Sequence, residues 1–273
     1  MPRDLSDVLH YFGPELAEPK GSRSSSAKDA GASDETSGQA RASTRALHVV
    51  GVPIGERDVV RAAFTWNLAV EVARLGGRAI VIAPDDPAPS PLWPQSGTGP
   101  LGVELLPSLA TDLPDLLAVA QQAASAKLRG GAEGGLVFVR IPPQWLDAPG
   151  KGSELLRWTL LFTSSRTPDL KGTLGMAKTI MGHHPEARVG ITIHGAGSRL
   201  EAETAFGRLA RSARQNLGHD LTSYGLLVDD LQVYRAIVAQ RPIGLAHPQS
   251  PAARALRDVA QLLLSDAEMN PVD

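Results

Sequence analysis

Short apolar segments alternate with amphipathic ones along most of this 273-residue chain, from Ala46 to about residue 264. The apolar segments predict strands at 47–50, 79–83, 102–106, 135–140, 159–163, 188–194 and 223–228. The amphipathic segments predict helices at 62–75, 113–127, 169–182, 199–216, 230–239 and 251–264. The last helix has Ser250 as its N-cap and Pro251 at its first position. This alternation is typical of a mainly parallel sheet covered by helices on both faces. We therefore predict a three-layer α/β/α domain over residues 46–266, with about seven strands.

The loop after the first predicted strand has the position of a phosphate-binding loop but few of its residues. Such a loop has the sequence Gly-x-x-x-x-Gly-Lys-Ser/Thr, in which backbone N–H groups and the lysine contact phosphate and the hydroxyl group binds Mg²⁺. Here residues 55–62 are Gly-Glu-Arg-Asp-Val-Val-Arg-Ala. Gly55 is present, whereas Val60, Arg61 and Ala62 stand at the second glycine, the lysine and the hydroxyl position. The layout is kept, and most of the phosphate chemistry is lost.

Several longer segments resemble the MinD/ParA-type ATPases, a P-loop family with a deviant Walker motif. The segments NLAVEVARLG at 67–76 and RAIVI at 78–82 are similar to the helix and second strand of that family. In the C-terminal half, the most similar family member is the flagellar-number regulator FlhG. The segments that carry this similarity are EAETAFGRLAR at 201–211, YGLLVDD at 224–230, QRP at 240–242 and SPAARAL at 250–256. The resemblance covers about residues 46–265 and implies a P-loop NTPase-like fold.

The resemblance also implies roles for particular positions, and most of these hold a different residue here. The signature lysine of the deviant motif falls on Glu56, the phosphate-binding lysine on Arg61 and the Mg²⁺-binding hydroxyl on Ala62. The Asp-x-Asp after the second strand keeps only its second carboxylate, Asp85, and the Walker B aspartate falls on Arg140. Two unit charges about 4 Å apart interact by about 4 kcal/mol at an effective dielectric constant of about 20. Reversing the sign of a charge in the site is therefore a large change.

These replacements determine the function that we expect. The asparagine that contacts the base in the family falls on His194. Hydrolysis needs the metal, a positioned water and neutralised phosphate charge together, so we expect no ATP hydrolysis and no bound ATP or Mg²⁺. The resemblance then implies a pseudo-ATPase that acts as a binding scaffold or regulator in the positioning or assembly of polar or cell-surface machinery. The alternative is a divergent active ATPase that dimerises on ATP and binds DNA or membrane. An accessory role in a secretion or polysaccharide system is equally compatible with the sequence.

An internal ion cluster is one hypothesis for the changed site. Arg140 and Arg61 would pair with Glu56 and Asp85, and these pairs would hold the loops around the site in place. The alternative is that Glu56 and Arg57 are solvated loop residues and that only Arg140 is constrained.

The N-terminus predicts an isolated amphipathic helix over residues 3–12. Leu5, Val8, Leu9 and Phe12 lie on one face of it, and Gly13-Pro14 ends it. Residues 18–45 have almost no large apolar side chain, so we expect a disordered linker. The apolar face either folds back on its own domain or docks into a groove on a partner protein, and we favour a partner. We therefore divide the chain into a docking helix (1–17), a linker (18–45), the P-loop domain (46–266) and a tail (267–273).

Composition and charge exclude several other functions. The chain has no cysteine, which excludes disulfides, thiolate metal sites and cysteine nucleophiles and fits a cytoplasmic protein. No apolar run is long enough to cross a bilayer. The net charge of -2 argues against nucleic-acid binding by the protein as a whole. We expect Arg208, Arg211 and Arg214 to form a solvated edge of a helix and not a DNA or membrane contact. The partner class that the resemblance implies is a second P-loop protein, an ATPase or a GTPase.

Overall fold

A computed structural model describes residues 3–4, 47–85, 90–92, 94–125 and 134–269 of the chain. The strands are β1 (His48–Pro53), β2 (Arg78–Pro84), β3 (Gly97–Thr98), β4 (Glu104–Ser108), β5 (Gly135–Ile141), β6 (Trp158–Ser164), β7 (Arg188–Ala196) and β8 (Thr222–Val228). The helices are α1 (Val59–Arg74), α2 (Leu113–Ser125), α3 (Thr167–His183), α4 (Arg199–Leu217), α5 (Leu231–Val238), α6 (Ile243–Ala246) and α7 (Pro251–Met269). Short 3₁₀ segments lie at Pro100–Gly102, Pro143–Asp147 and Gly150–Leu156.

The described strands form one sheet in the order β3-β4-β2-β5-β1-β6-β7-β8. Every neighbouring pair is parallel except β3 and β4, which are antiparallel. The predicted mainly parallel sheet is therefore confirmed. The additional strand is β3, which contains only Gly97 and Thr98 and is too short to give a hydrophobic pattern.

Helices cover the sheet on both faces, which confirms the three-layer α/β/α architecture. On one face α1, α6 and α7 pack together, with α1 on β2 and β5 and α7 on β8. Right-handed crossovers place α2, α3 and α4 on the opposite face, where α2 contacts β5 and β1 and α3 and α4 contact β6 and β7. All residues of β5 and β6 are buried, as central parallel strands require. Among the described residues, no helix is both long enough and apolar enough to span a membrane.

Side-chain caps fix the starts of several helices. Asp58, Ser198, Asp230 and Ser250 each accept a hydrogen bond from a backbone N–H two or three residues later, at the starts of α1, α4, α5 and α7. The cap at Ser250 is the predicted one. Helix α7 continues to Met269, beyond its predicted end at residue 264. Helix α1 begins at Val59, before its predicted start at Ala62, because the Asp58 cap brings the preceding turn into the helix.

Buried polar contacts join α1 to α6. The Asn67 side chain accepts a hydrogen bond from the Ile243 N–H at 2.7 Å. Glu71 is 1% exposed and pairs with Arg74 at 2.8 Å, and the Arg74 guanidinium also donates to the carbonyl oxygen of Gly244 at 3.2 Å. A Cβ atom on Gly244 would lie 1.8 Å from Oε1 of Glu71, so this contact requires glycine. The packing of α6 on α1 therefore provides partners for the polar side chains of the segment at 67–76.

A second buried polar network lies at the edge of the sheet where the strands begin. Trp158 Nε1 donates to the Tyr224 hydroxyl at 3.1 Å, and that hydroxyl donates to Oδ2 of Asp266 at 2.6 Å. Arg188 Nη2 lies 3.3 Å from the same carboxylate oxygen. Burial, followed by the neighbouring Asp266 carboxylate, raises the pKa of Tyr224, so its hydroxyl stays protonated and remains a donor. The network ties α7 to the first residues of β6, β7 and β8.

Candidate functional site

The loop between β1 and α1, residues 54–58, forms hydrogen bonds within itself. The Asp58 N–H donates to the Gly55 carbonyl at 3.1 Å, and the Val59 N–H donates to the Arg57 carbonyl at 3.1 Å. A phosphate-binding loop directs such N–H groups at its ligand. In this chain these donors are already bonded to the loop's own carbonyl groups.

The Asp58 carboxylate lies at the amino end of α1, which is where helices bind phosphate. Oδ1 accepts a hydrogen bond from the Arg61 N–H at 3.0 Å, and Oδ2 lies 3.2 Å from Arg61 Nη1. The Asp58 carbonyl accepts from the Ala62 N–H at 3.1 Å. A negative charge here is stabilised by the helix dipole and the first N–H groups. Asp58 therefore supplies, from within the chain, the negative charge that an anionic ligand would otherwise bring.

Asp58 is the residue that the sequence interpretation missed. The sequence signal for it is an aspartate directly before a helix with a basic residue three positions later, which is the spacing of an N-cap and of an (i, i+3) ion pair.

The remaining site residues lie at the same edge of the sheet, on separate elements. Glu56 is exposed and accepts a hydrogen bond from Gln144 Nε2 at 3.2 Å, which connects the loop to the segment after β5. Asp85 is exposed, and its N–H donates to the Ser108 carbonyl at 2.7 Å. Arg140 is only 7% exposed and lies on β5 opposite Val52 of β1.

The hypothesis of an ion cluster is wrong for Arg61 and Glu56. Arg61 pairs with Asp58, because Asp58 lies one helical turn before it on the same helix. Glu56 bonds to the neutral Gln144. The expectation that Arg140 is constrained agrees with its burial.

A cleft with a volume of about 100 Å³ lies between α1, β2 and β5. Ala62 and Trp66 line it from α1, and Asp85 and Arg140 line it from the ends of the strands. Sites for small molecules usually measure about 300–1,000 Å³, so this cleft is small for a nucleotide. Mg²⁺ requires oxygen ligands in near-octahedral geometry. A methyl group at residue 62 and a guanidinium at residue 140 do not fit that ion.

A larger cleft, of about 310 Å³, lies on the other side of Trp66, between α1, residues 94–100 and α5. Its polar lining includes Asn67, Gln240 and Arg241, and it includes none of the site residues predicted from the sequence. Within the described ranges, no group of three or more His, Asp or Glu side chains is placed to hold a metal ion.

No protein-family model matches the chain, and no curated protein sequence matches it. Solved structures do match. The chain is 14% identical to a chain of the MinC:MinD cell division protein complex of Aquifex aeolicus, with a TM-score of 0.57 over 83% of this chain and 98% of that one. MinD of Pyrococcus horikoshii, complexed with Mg-ADP, is 14% identical to this chain, with a TM-score of 0.57 over 82% of this chain and 98% of that one. A ParA family ATPase of Chlorobium tepidum is 14% identical to this chain, with a TM-score of 0.57 over 80% of this chain and 99% of that one. The fold is that of the MinD and ParA ATPases.

In this MinD/ParA fold, His194 lies at the end of β7 beside the loop. Its ring centroid is 5.6 Å from that of Phe64, and it pairs in register with Ser164 of β6. Burial, followed by the adjacent Arg61 charge, lowers the pKa of His194 to about 4. The imidazole is therefore neutral at physiological pH, and within the described residues its buried Nε2 atom has no hydrogen-bond partner.

Of two further sets of predicted residues, the structure describes one. Arg208 and Arg211 are exposed on α4, as expected, while Arg214 pairs with Asp220 at 2.6 Å. Leu5, Val8, Leu9 and Phe12, predicted to bind a partner, lie outside the described residues, as do the linker and the last residues of the tail.

Proposed function

We propose that this chain is a MinD/ParA-like pseudo-ATPase, most similar to FlhG, that does not hydrolyse nucleotide. It acts by binding proteins, as a scaffold or regulator in the positioning or assembly of polar or cell-surface machinery, and it acts in the cytoplasm.

The observation that carries this proposal is the contact of Asp58 with the amino end of α1. A bound phosphate would need the first N–H groups of α1 and the positive charge at residue 61. The Asp58 carboxylate already takes both, at 3.0 Å from the Arg61 N–H and 3.2 Å from Nη1. A nucleotide would have to displace a carboxylate that is covalently part of the chain, and the displaced carboxylate would then repel the phosphates.

The metal side of the site supports the same conclusion. Arg140 is 7% exposed at the position of the Walker B carboxylate, and Ala62 has no hydroxyl. Phosphoryl transfer depends on a metal that bridges the phosphates and neutralises their charge. These two residues supply no ligand for that metal.

Without nucleotide chemistry, the chain would act by binding a protein partner. The MinC:MinD complex is an assembly of a protein with this fold and a partner. We propose that this chain also binds a partner, a second P-loop ATPase or GTPase, through Leu5, Val8, Leu9 and Phe12. DNA and membrane contacts are not part of the proposal.

Nucleotide binding tests the first part of the proposal. Isothermal titration of the full chain with ATP, with and without Mg²⁺, should give no saturable binding at micromolar concentration, which corresponds to less than about 8 kcal/mol of binding free energy. An Asp58→Gly variant should gain weak, Mg²⁺-independent binding of inorganic phosphate, because Arg61 and the helix terminus become available. Asp230→Gly is the matched control, since it removes the cap of α5 away from the site.

The opposite experimental results would indicate a different function for the chain. Micromolar, Mg²⁺-dependent ATP binding with turnover would overturn the proposal and establish a divergent active ATPase of this fold. If Asp58→Gly and Asp230→Gly behaved alike towards phosphate, Asp58 would be a simple helix cap and the central observation would lose its meaning.

A comparison of captured proteins tests the second part. The full chain and a Leu9→Asp/Phe12→Asp double variant would be used as baits in the native cell, and the captured proteins compared by mass spectrometry. Loss of one specific protein with the variant supports the proposed docking face. Identical profiles would rule it out.

A further inference from the structure

The larger cleft, of about 310 Å³, is built from three parts of the chain, and we call it the α1–α5 cleft. Ala63 and Trp66 line it from α1, residues 94–100 form a second wall, and the end of α5 with the turn at 240–242 forms the third. Sites for small molecules usually measure about 300–1,000 Å³, so this volume suits a ligand smaller than a nucleotide. Residues 54–58 of the β1–α1 loop do not line it. The α1–α5 cleft is therefore a second, separate candidate site.

An indole ring forms part of the wall of the α1–α5 cleft. Trp66 is half-buried, and a Cβ atom on Gly99 would lie 2.6 Å from Cη2 and Cζ2 of that ring. The backbone of Gly99 therefore lies against the edge of the indole and limits its movement. Other apolar residues that line the cleft are Leu92, Pro94, Pro100, Ala236, Ile237 and Pro242. A fixed aromatic wall favours a flat ring in the ligand, because such rings pack together by offset stacking or edge contact.

Arg241 gives the α1–α5 cleft a positive charge. No acidic side chain is among the described residues that line the cleft, and the Arg241 guanidinium forms no ion pair with any described residue. The Arg241 N–H donates to the Ala236 carbonyl at 3.0 Å, which ties its backbone to the end of α5. A guanidinium binds a carboxylate through two parallel hydrogen bonds. The charge of the cleft therefore favours a ligand with a single carboxylate.

Two strained backbone positions lie beside the cleft. In the part of the chain that the structure describes, Gln240 (φ 52°) and Leu101 (φ 58°) are the residues other than glycine with a left-handed φ. Gln240 lines the cleft, and Leu101 follows Pro100, which also lines it. Such conformations are unfavourable for residues with a Cβ atom and persist where the surrounding structure holds them, often at ligand sites. Walls held in one shape lower the cost of ordering a site when a ligand binds.

We propose that the α1–α5 cleft binds a small molecule that carries one flat aromatic ring and one carboxylate. The ring packs on Trp66, and the carboxylate pairs with Arg241. The hydroxyl groups of Ser96 and Thr98 belong to the same wall and can donate further hydrogen bonds to the ligand. This binding goes beyond the proposed function, because it needs neither a nucleotide nor the predicted N-terminal helix.

NMR of the full chain tests the proposal with three matched probes. The chain has four tryptophans, so a ¹⁵N-labelled sample should show four indole N–H signals, and Trp66→Phe identifies the signal of Trp66 by its absence. Titration with indole-3-acetate should shift this signal saturably, with a Kd of about 1 mM or lower for a ligand of about 13 non-hydrogen atoms. Indole-3-acetamide lacks the charge, and 1-adamantylacetate has the charge but a globular apolar group. Each should bind at least about tenfold more weakly.

Two substitutions separate the charge from the ring. Arg241→Gln should weaken the binding of indole-3-acetate at least about tenfold and leave that of indole-3-acetamide unchanged. Arg235→Gln, at an exposed position on α5 outside the cleft, is the matched control and should behave like the parent. Gly99→Ala keeps an allowed backbone conformation (φ -93°, ψ -165°) but displaces Trp66, so it should weaken both indole probes at least about fivefold. Gly175→Ala, in open space on α3, is its control. Thermal unfolding checks that each variant is folded.

Three results would overturn the proposal. The first is a Trp66 signal that about 10 mM indole-3-acetate does not shift. The second is equal binding of the acid and the amide, or equal affinity of the parent and Arg241→Gln for the acid, since Arg241 would then not bind the carboxylate. The third is an affinity for 1-adamantylacetate as high as that for indole-3-acetate, which would exclude selection for a flat ring. All titrations are made without nucleotide, so they can fail while the pseudo-ATPase proposal stands, and the reverse also holds.

Discussion

The neutral, buried imidazole of His194 makes stability depend on pH in a defined direction. The folded protein holds the pKa of His194 at about 4, against 6.5 for an ordinary histidine. The unfolded chain therefore takes up a proton first as the pH falls. Stability from this group is fully present above about pH 6.5 and is lost progressively as the pH falls towards 4. The loss attributable to His194 is about 2 kcal/mol between pH 7 and pH 5.

Urea denaturation of the parent and its variants at several pH values measures the contribution of His194 to stability. His194→Leu removes the titrating group, so the difference in unfolding free energy between the parent and this variant should change by about 2 kcal/mol between pH 7 and pH 5. Burial also raises the pKa of Asp258 to about 6, with the opposite effect on stability, but Asp258 is common to both proteins and cancels in the difference. His183→Leu, at an exposed position, is the matched control and should follow the parent.

A pH-independent difference, constant within about 0.5 kcal/mol, would refute the reasoning. It would mean that His194 accepts a proton in the folded state at an ordinary pKa, and that the site is open enough to solvate an imidazolium beside Arg61. NMR titration of the imidazole gives an independent check, because its resonances should not shift between pH 8 and pH 5.5.

Two further substitutions test the packing of the fold. Gly244→Ala should cost about 1–3 kcal/mol of unfolding free energy, because the new Cβ meets the Glu71 carboxylate, whereas Gly172→Ala, in open space on α3, should be neutral or stabilising by up to about 1 kcal/mol. Equal effects of the two changes in urea denaturation would contradict the close approach of α6 to α1. Tyr224→Phe should cost about 1–3 kcal/mol, because it leaves the buried Asp266 carboxylate without its hydroxyl donor. An unchanged melting temperature for this variant would mean that water replaces the hydroxyl.

The sequence predicts most of the fold because the fold depends on burial. The strands β5 and β6 contain the apolar runs Leu136–Val139 and Leu160–Phe162, and the predicted cap at Ser250 follows from local hydrogen bonding. The end of α7 was not predictable in the same way. Asp266 counts as polar in any hydrophobic pattern, yet it is buried, because Tyr224 and two arginines from distant segments satisfy its carboxylate.

The site was predictable only as a list of replaced residues. A sequence states that Arg61 and Ala62 stand in place of a lysine and a hydroxyl group, but it does not state which acidic side chain each arginine meets. Arg61 had Glu56, Asp58 and Asp85 within reach along the chain or across the sheet, and the geometry of the first helical turn selects Asp58. Whether the N–H groups of a loop face a ligand or bond internally depends on the backbone conformation, which residue types alone leave open.

A loop that carries its own counter-charge folds without help from a metabolite. Proteins that bind a ligand only when folded gain stability in proportion to the logarithm of its concentration, so their abundance can follow the supply of that ligand. Under the proposed function, with Asp58 on the amino end of α1, this domain has no such dependence on nucleotide at its β1–α1 junction. Its steady-state level should therefore stay constant when cellular adenylate is depleted. Such behaviour suits a component that acts through its abundance and not through its nucleotide-bound state.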